Sequence, residues 1–122
     1  MDAYKQAVLE KIYKRCHLDP VKGCIMWDGC SSVQRGVTYG KIKAKCPPEH
    51  PSKTHYVHRI VFQFHFCLNL NPSQHLSHLC HKTLCCSPYH LVLEPVSVNN
   101  ARKVCARIGR CTGHVDRPDC LV

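Results

Sequence analysis

Two sets of soft ligands stand in the second half of this 122-residue chain at spacings that suit a metal ion. The first is Cys80, Cys85 and His90, and the second is Cys105, Cys111, His114 and Cys120. Thiolate and imidazole together are the ligand set of tetrahedral zinc. The second set closes a four-ligand site by itself, whereas the first lacks a member, for which the upstream Cys24, Cys30 and Cys46 compete. A filled tetrahedral site leaves no position for a substrate, so both sets read as structural zinc. His81 and Cys86 stand close enough in sequence to exchange with Cys80 and Cys85. Left over are His78, ahead of the first set, and Asn99, between the two: a candidate general base and a candidate ligand for a hard cation. His78 as a zinc ligand in place of His90, and Asn100 in place of Asn99, are the alternatives.

The order His78, Cys80, Cys85, His90, Asn99, Cys105, Cys111, His114, Cys120 resembles the His-Cys box homing endonucleases of the His-Me finger, or ββα-metal, nuclease superfamily. The resemblance covers the C-terminal half closely and the N-terminal half loosely. It implies that His78 is the base that takes a proton from the attacking water, and that Asn99 holds one catalytic Mg²⁺, with Mn²⁺ as an alternative ion. Arg102 matches an arginine of the box and is expected to contact phosphate. The resemblance also assigns Cys24 as the missing ligand of the first zinc, drawn from an early strand, and ties the second ring nitrogen of His78 to a backbone carbonyl near Cys85. The family's upstream catalytic arginine has three candidates here, Lys41, Lys43 and Arg59.

The implied fold is α+β, a small zinc-stabilised ββα-metal domain with few short strands and two or three helices. The implied function is a metal-dependent DNA endonuclease that hydrolyses phosphodiester bonds and carries two structural Zn²⁺ and one Mg²⁺. A reading from a different class is a non-catalytic zinc module that binds nucleic acid or a protein on the same scaffold. Homing enzymes of the family exchange a long C-terminal tail between subunits. Here the sequence ends at Leu121-Val122, directly after the last ligand, so a tail-swapped homodimer is not expected, while a homodimer built another way stays open.

Length and composition agree with these expectations. One domain is expected over residues 1–122, with a helix, strands and a packing helix in 1–70 and the zinc-bound box in 75–120. The net charge of +9, from 17 basic and 8 acidic residues, favours a polyanionic partner such as double-stranded DNA. Eleven cysteines would also suit a disulfide scaffold, but the count is odd, ten histidines accompany them, and no signal pattern opens the chain at Met1. A reducing compartment, nucleus or cytoplasm, is therefore expected. No apolar run is long enough to span a bilayer, so no membrane insertion is expected.

These residues need elements to position them. Asp2 is placed to cap a helix over 3–14 whose apolar stripe is Tyr4, Ala7, Val8 and Ile12. Cys24 to Trp27 suits a strand after the turn at Asp19-Pro20 and Lys22-Gly23, residues 30–36 read as a polar turn, and Val37 to Lys45 as a strand with Lys41, Lys43 and Lys45 alternating against Ile42 and Ala44. A proline-bearing loop follows to Thr54. Val57, Ile60, Val61 and Phe64 then repeat as one face of a helix ending near Cys67, with a His58-Arg59 pair of the kind found in the superfamily. The box itself reads as strands at 76–79 and 91–94 and a helix from about Val98 capped by Ser97, which sets Asn99 and Arg102 on nearly one face.

Overall fold

A computed structural model describes residues 2–121; Met1 and Val122, the outer limits of the expected domain and of the expected chain end, lie outside it. It is a small α+β fold of three helices and seven short strands. Helix α1 spans Ala3–Tyr13, α2 Val57–Phe66 and α3 Val96–Ile108. Three separate antiparallel sheets join them. Strands β1 (Cys16–Asp19) and β2 (Cys24–Trp27) form the first, β3 (Ser31–Gln34), β4 (Val37–Ala44) and β5 (Lys53–Tyr56) the second, and β6 (His75–His78) and β7 (Leu91–Glu94) the third.

α2 is the packing centre because it is apolar on two sides. Val57, Ile60, Val61 and Phe64 meet Leu9 and Ile12 of α1, Trp27 of β2 and Ile42 of β4, while Phe62 turns the other way onto Leu76 and Leu91 of the third sheet. The core is thus divided, and its third part is made of the ligand cysteines Cys24, Cys80 and Cys85. A chain of this size buries little apolar surface, so a metal cluster at a core position takes the place of side chains that a larger domain would pack there.

Several expectations are corrected by the packing. Residues 30–36 are not all turn: Ser31–Gln34 form β3, joined to β4 by a two-residue turn at Arg35 (φ 51°) and Gly36 (φ 77°). The strand is mostly exposed and polar, so it carries no apolar alternation to betray it. β1 was invisible for the same reason, with His17 and Leu18 both exposed. Neither Asp2 nor Ser97 caps a helix through its side chain. Pro95 is the residue flanking α3, and its carbonyl accepts from the backbone N–H groups of Val98 and Asn99, which brings Ser97 inside the helix. In α1 the buried residues are Leu9 and Ile12, with Tyr4 and Val8 beside them and Ala7 exposed.

β4 gives one face to the core and the other to solvent. Gly40 and Ile42 are buried, and Gly40 lies against the Trp27 indole, whose Nε1 donates to the Cys30 carbonyl at 2.8 Å. That hydrogen bond holds the ring in place. A Cβ at Gly40 would sit 2.5 Å from Trp27 Cδ1, so Gly40→Ala forces either strand or indole to move. We expect it to cost about 1–3 kcal/mol in denaturant unfolding of the zinc-loaded protein while both zinc ions stay bound; unchanged stability would show that the indole shifts freely.

Candidate metal and active centre

The first cluster is assembled across the chain. β2 extends the zinc loop on its outer edge: Trp27 N–H donates to the Leu84 carbonyl at 2.9 Å and Cys86 N–H to the Ile25 carbonyl at 2.8 Å. This pairing sets Cys24 beside Cys80, Cys85 and His90, with one ligand atom of each within 4.8 Å of all the others. A zinc ion with Zn–S near ~2.3 Å and Zn–N near ~2.0 Å at tetrahedral angles separates sulfur from nitrogen by about 3.5 Å. His90 Nδ1 lies 3.5 Å from Cys24 Sγ and 3.6 Å from Cys85 Sγ, so the donor set fits zinc. Three of the four residues are buried. The hydrogen bond from Cys80 and backbone N–H groups of Ser87 and Ile25 lower the Cys85 thiol to about 5, while that same bond and burial raise the Cys80 thiol and burial raises that of Cys24.

Cys30 and Cys46, the rivals for the fourth position, are elsewhere, Cys30 exposed and Cys46 at the edge of the core. Cys86 is not a ligand either: its buried sulfur is 3.5 Å from that of half-buried Cys16, a contact that ties β1 to the zinc loop. His81 also stays outside the cluster. It occupies a left-handed turn position (φ 61°), and its Nε2 is buried without a partner.

The second cluster, Cys105, Cys111, His114 and Cys120, closes between the end of α3 and the C-terminal loop. His114 Nε2 is 3.7 Å from Cys105 Sγ and 3.5 Å from Cys120 Sγ, again the spacing of a shared zinc. The Thr112 hydroxyl and N–H both point at Cys105 Sγ and hold its thiol down to about 6. All eleven cysteines are free thiols, and six of them belong to the two clusters.

Between the clusters stands the ββα unit of β6, β7 and α3. His78 ends β6, paired with Leu91. Its imidazole hydrogen-bonds the Cys85 carbonyl, so the first cluster orients the ring through the backbone rather than by coordination. Nε2 is buried with no partner. Burial pushes the imidazole down to about 4 against the pull of that carbonyl, which keeps it neutral near pH 7. Asn99 sits in the first turn of α3, and its Nδ2 donates to the Leu76 carbonyl of β6 at 3.4 Å, leaving Oδ1 free to accept. His78 and Asn99 line one cavity of about 250 Å³, together with Tyr39, His81, Thr83 and Lys103. Asn100 is exposed and lines only the wider cleft of about 610 Å³ that continues past Arg35 and Arg59. Among the described residues no Asp or Glu lines either space.

Arg102 departs from its expected role. It borders the cavity, but its side chain is 2% exposed and every guanidinium nitrogen is engaged. Nε and Nη2 donate to the two Glu94 oxygens at 2.6 Å each, Nη2 also to the Pro118 carbonyl at 2.9 Å, and Nη1 approaches Cys120 Sγ at 3.4 Å. Burial raises the Glu94 carboxyl, but the Arg102 hydrogen bond and charge outweigh it and leave Glu94 ionised. Arg102 is therefore a brace from β7 through α3 to the second cluster rather than a phosphate contact. Of the upstream cations, Arg59 donates to the Gln74 and Asn71 carbonyls at 2.7 and 3.0 Å, pinning the loop that enters β6. Lys41 and Lys43 border a separate cavity with Lys11 and Arg15, away from His78.

Two neighbours of the site were not assigned to it from the sequence. His58, buried on α2, holds its ring tilted at 45° and 4.9 Å from that of His78, and stacks on Tyr39 at 5.5 Å. Lys103 follows Asn99 by four residues, a helical spacing that would have found it.

The family model described as the zinc-binding loop region of homing endonuclease matches residues 30–120. Comparison with curated proteins and with solved structures gives no match. No helix among the described residues is long and apolar enough to cross a membrane.

Metal analysis of the purified protein should give two zinc ions per chain. Cys24→Ala should lose one of them and Cys30→Ser neither; equal zinc content in all three proteins would remove Cys24 from the first site. Arg102→Ala should destabilise the fold by about 3–5 kcal/mol because it leaves the buried Glu94 carboxylate with only the partly exposed Arg117, 3.7 Å from Oε2, as a cationic partner, and the double change Arg102→Met with Glu94→Leu should recover much of that loss. A double variant as unstable as the single one would mean that the pair is not the source.

Proposed function

The chain belongs to the family of the zinc-binding loop region of homing endonuclease, and from that premise we propose that it is a metal-dependent DNA endonuclease with His78 as general base. The observation that carries this reading is the His78 imidazole, neutral, fixed through the Cys85 carbonyl, with Nε2 buried and unpartnered in a cavity that Asn99 also lines. Hydrolysis of a phosphodiester requires a group that takes a proton from water as the oxygen attacks phosphorus, and a neutral imidazole does this at physiological pH.

The leaving oxygen also needs stabilisation. A divalent cation would supply it, and Mg²⁺ or Mn²⁺ suits oxygen donors. Asn99 Oδ1 is the residue atom offered for such an ion, since Nδ2 is committed to Leu76. With no Asp or Glu among the described residues lining the cavity, Asn99 would hold such an ion through a single neutral oxygen and the DNA would have to supply further ligands. The weak grip this gives in the free protein is consistent with an ion that binds together with substrate.

The DNA surface follows from β4. Val37 and Tyr39 border the cleft, and on the same side of the strand two and four residues further on come Lys41 and Lys43, where Lys11 and Arg15 join them. Cations further along the strand face whose near end borders the cleft suit a duplex backbone beyond the reacting phosphate. A binding module without catalysis would share the zinc sites and this surface, but it gives no reason for an orphan imidazole nitrogen beside a free amide oxygen.

The test is nicking of supercoiled plasmid with Mg²⁺ or Mn²⁺. His78→Ala should lose cleavage by at least about 10²-fold in single turnover while keeping two zinc ions and nearly full DNA affinity. Equal cleavage by that variant would exclude His78 as the base, and binding without nicking by the unaltered protein would favour the non-catalytic module.

A further inference from the structure

We propose that Lys103 supplies the positive charge that contacts the phosphate under attack, the role the sequence had suggested for Arg102. The inference rests on the endonuclease reading above. It starts from the charges around the cavity that holds His78 and Asn99. Among the described residues two lysine or arginine side chains line it, Arg102 and Lys103. Arg102 is paired with both oxygens of buried Glu94, and four of its five N–H donors are taken on a side chain that is 2% exposed. Lys103 is exposed and makes no ion pair among the described residues.

Its position fits the role. Lys103 lies one helical turn beyond Asn99 on α3, so the two side chains project from one face toward the same space. It also lines the wider cleft, and so stands where that cleft meets the inner cavity. Arg35 and Arg59 border the wider cleft only, and Arg59 is held there by hydrogen bonds from Nη1 and Nη2 to the Gln74 and Asn71 carbonyls. A phosphate placed between His78 and Asn99 therefore has one uncommitted cation within the cavity. As phosphorus passes through its five-coordinate state, negative charge builds on the non-bridging oxygens. An ammonium group there stabilises that state more than the bound diester.

The position differs from Arg102 in a way experiments can read. Because Lys103 is exposed and unpaired, its removal should leave the fold and both zinc sites intact. Lys103→Ala should slow single-turnover plasmid nicking in Mg²⁺ by about 10²-fold, with DNA affinity weakened far less and its salt slope reduced by about one unit. Lys103→Arg should regain most of the rate, since charge rather than shape is required. Two results would overturn the proposal: nicking by Lys103→Ala at the unaltered rate, or a loss confined to affinity and abolished at saturating enzyme. Both are read against the unaltered protein and His78→Ala. If the unaltered protein nicks and His78→Ala does not, the endonuclease reading stands whatever Lys103→Ala does.

Discussion

Four ligand atoms brought within 4.8 Å of one another, three from one loop and one from a strand far upstream, are the constraint on which the rest of this fold depends. Cys24 reaches Cys80, Cys85 and His90 only because β2 pairs its free edge with the zinc loop through Trp27 and Cys86. The same strand puts Trp27 into the core against α2 and Gly40. One element thus carries both a zinc ligand and a central aromatic anchor, and metal binding and folding are coupled through it. The hydrogen bond from His78 to the Cys85 carbonyl passes the order of that cluster to the proposed base.

The second cluster acts on the other half of the cavity. Its ligand Cys120 meets Arg102, and Arg102 meets Glu94 on β7, so the C-terminal loop, α3 and β7 are joined through one buried ion pair. Leu121 N–H also donates to the Leu79 carbonyl, closing the loop back onto the end of β6. A buried bidentate pair gains little net stability over a hydrophobic substitute, but it fixes geometry, because either partner alone would be a buried unpaired charge. Here what is fixed is the angle at which α3 presents Asn99 toward the strand bearing His78. The two clusters can be seen as separate clamps on the two walls of a single cavity, neither of which touches its contents.

The parts of this arrangement with strong side-chain chemistry were legible in the sequence, and the parts defined by polar backbone pairing were not. The second ligand set, three ligands of the first, and the apolar face of α2 all follow from spacing. Cys24 needed the family resemblance, since a cysteine near a strand does not reveal which loop the strand will pair with. β1 and β3 escaped because exposed strands carry no apolar period. Arg102 was legible as a position but not as a function: nothing in the spacing tells whether a guanidinium turns toward a cavity or toward Glu94 eight residues back. Its burial decided that, and Lys103 next to it then became the cation to consider.

The central claim is that two zinc-bound clusters hold His78 and Asn99 against one space sized for a hydrated cation and a phosphate. Anomalous diffraction from crystals of the protein with a DNA duplex and Mn²⁺, collected at the zinc and manganese edges, addresses it most directly. The account predicts two zinc peaks, one among Cys24, Cys80, Cys85 and His90 and one among Cys105, Cys111, His114 and Cys120, and a manganese peak about 2.2 Å from Asn99 Oδ1. Zinc missing from either cluster, or manganese bound to DNA with Asn99 turned away from it, would contradict the account.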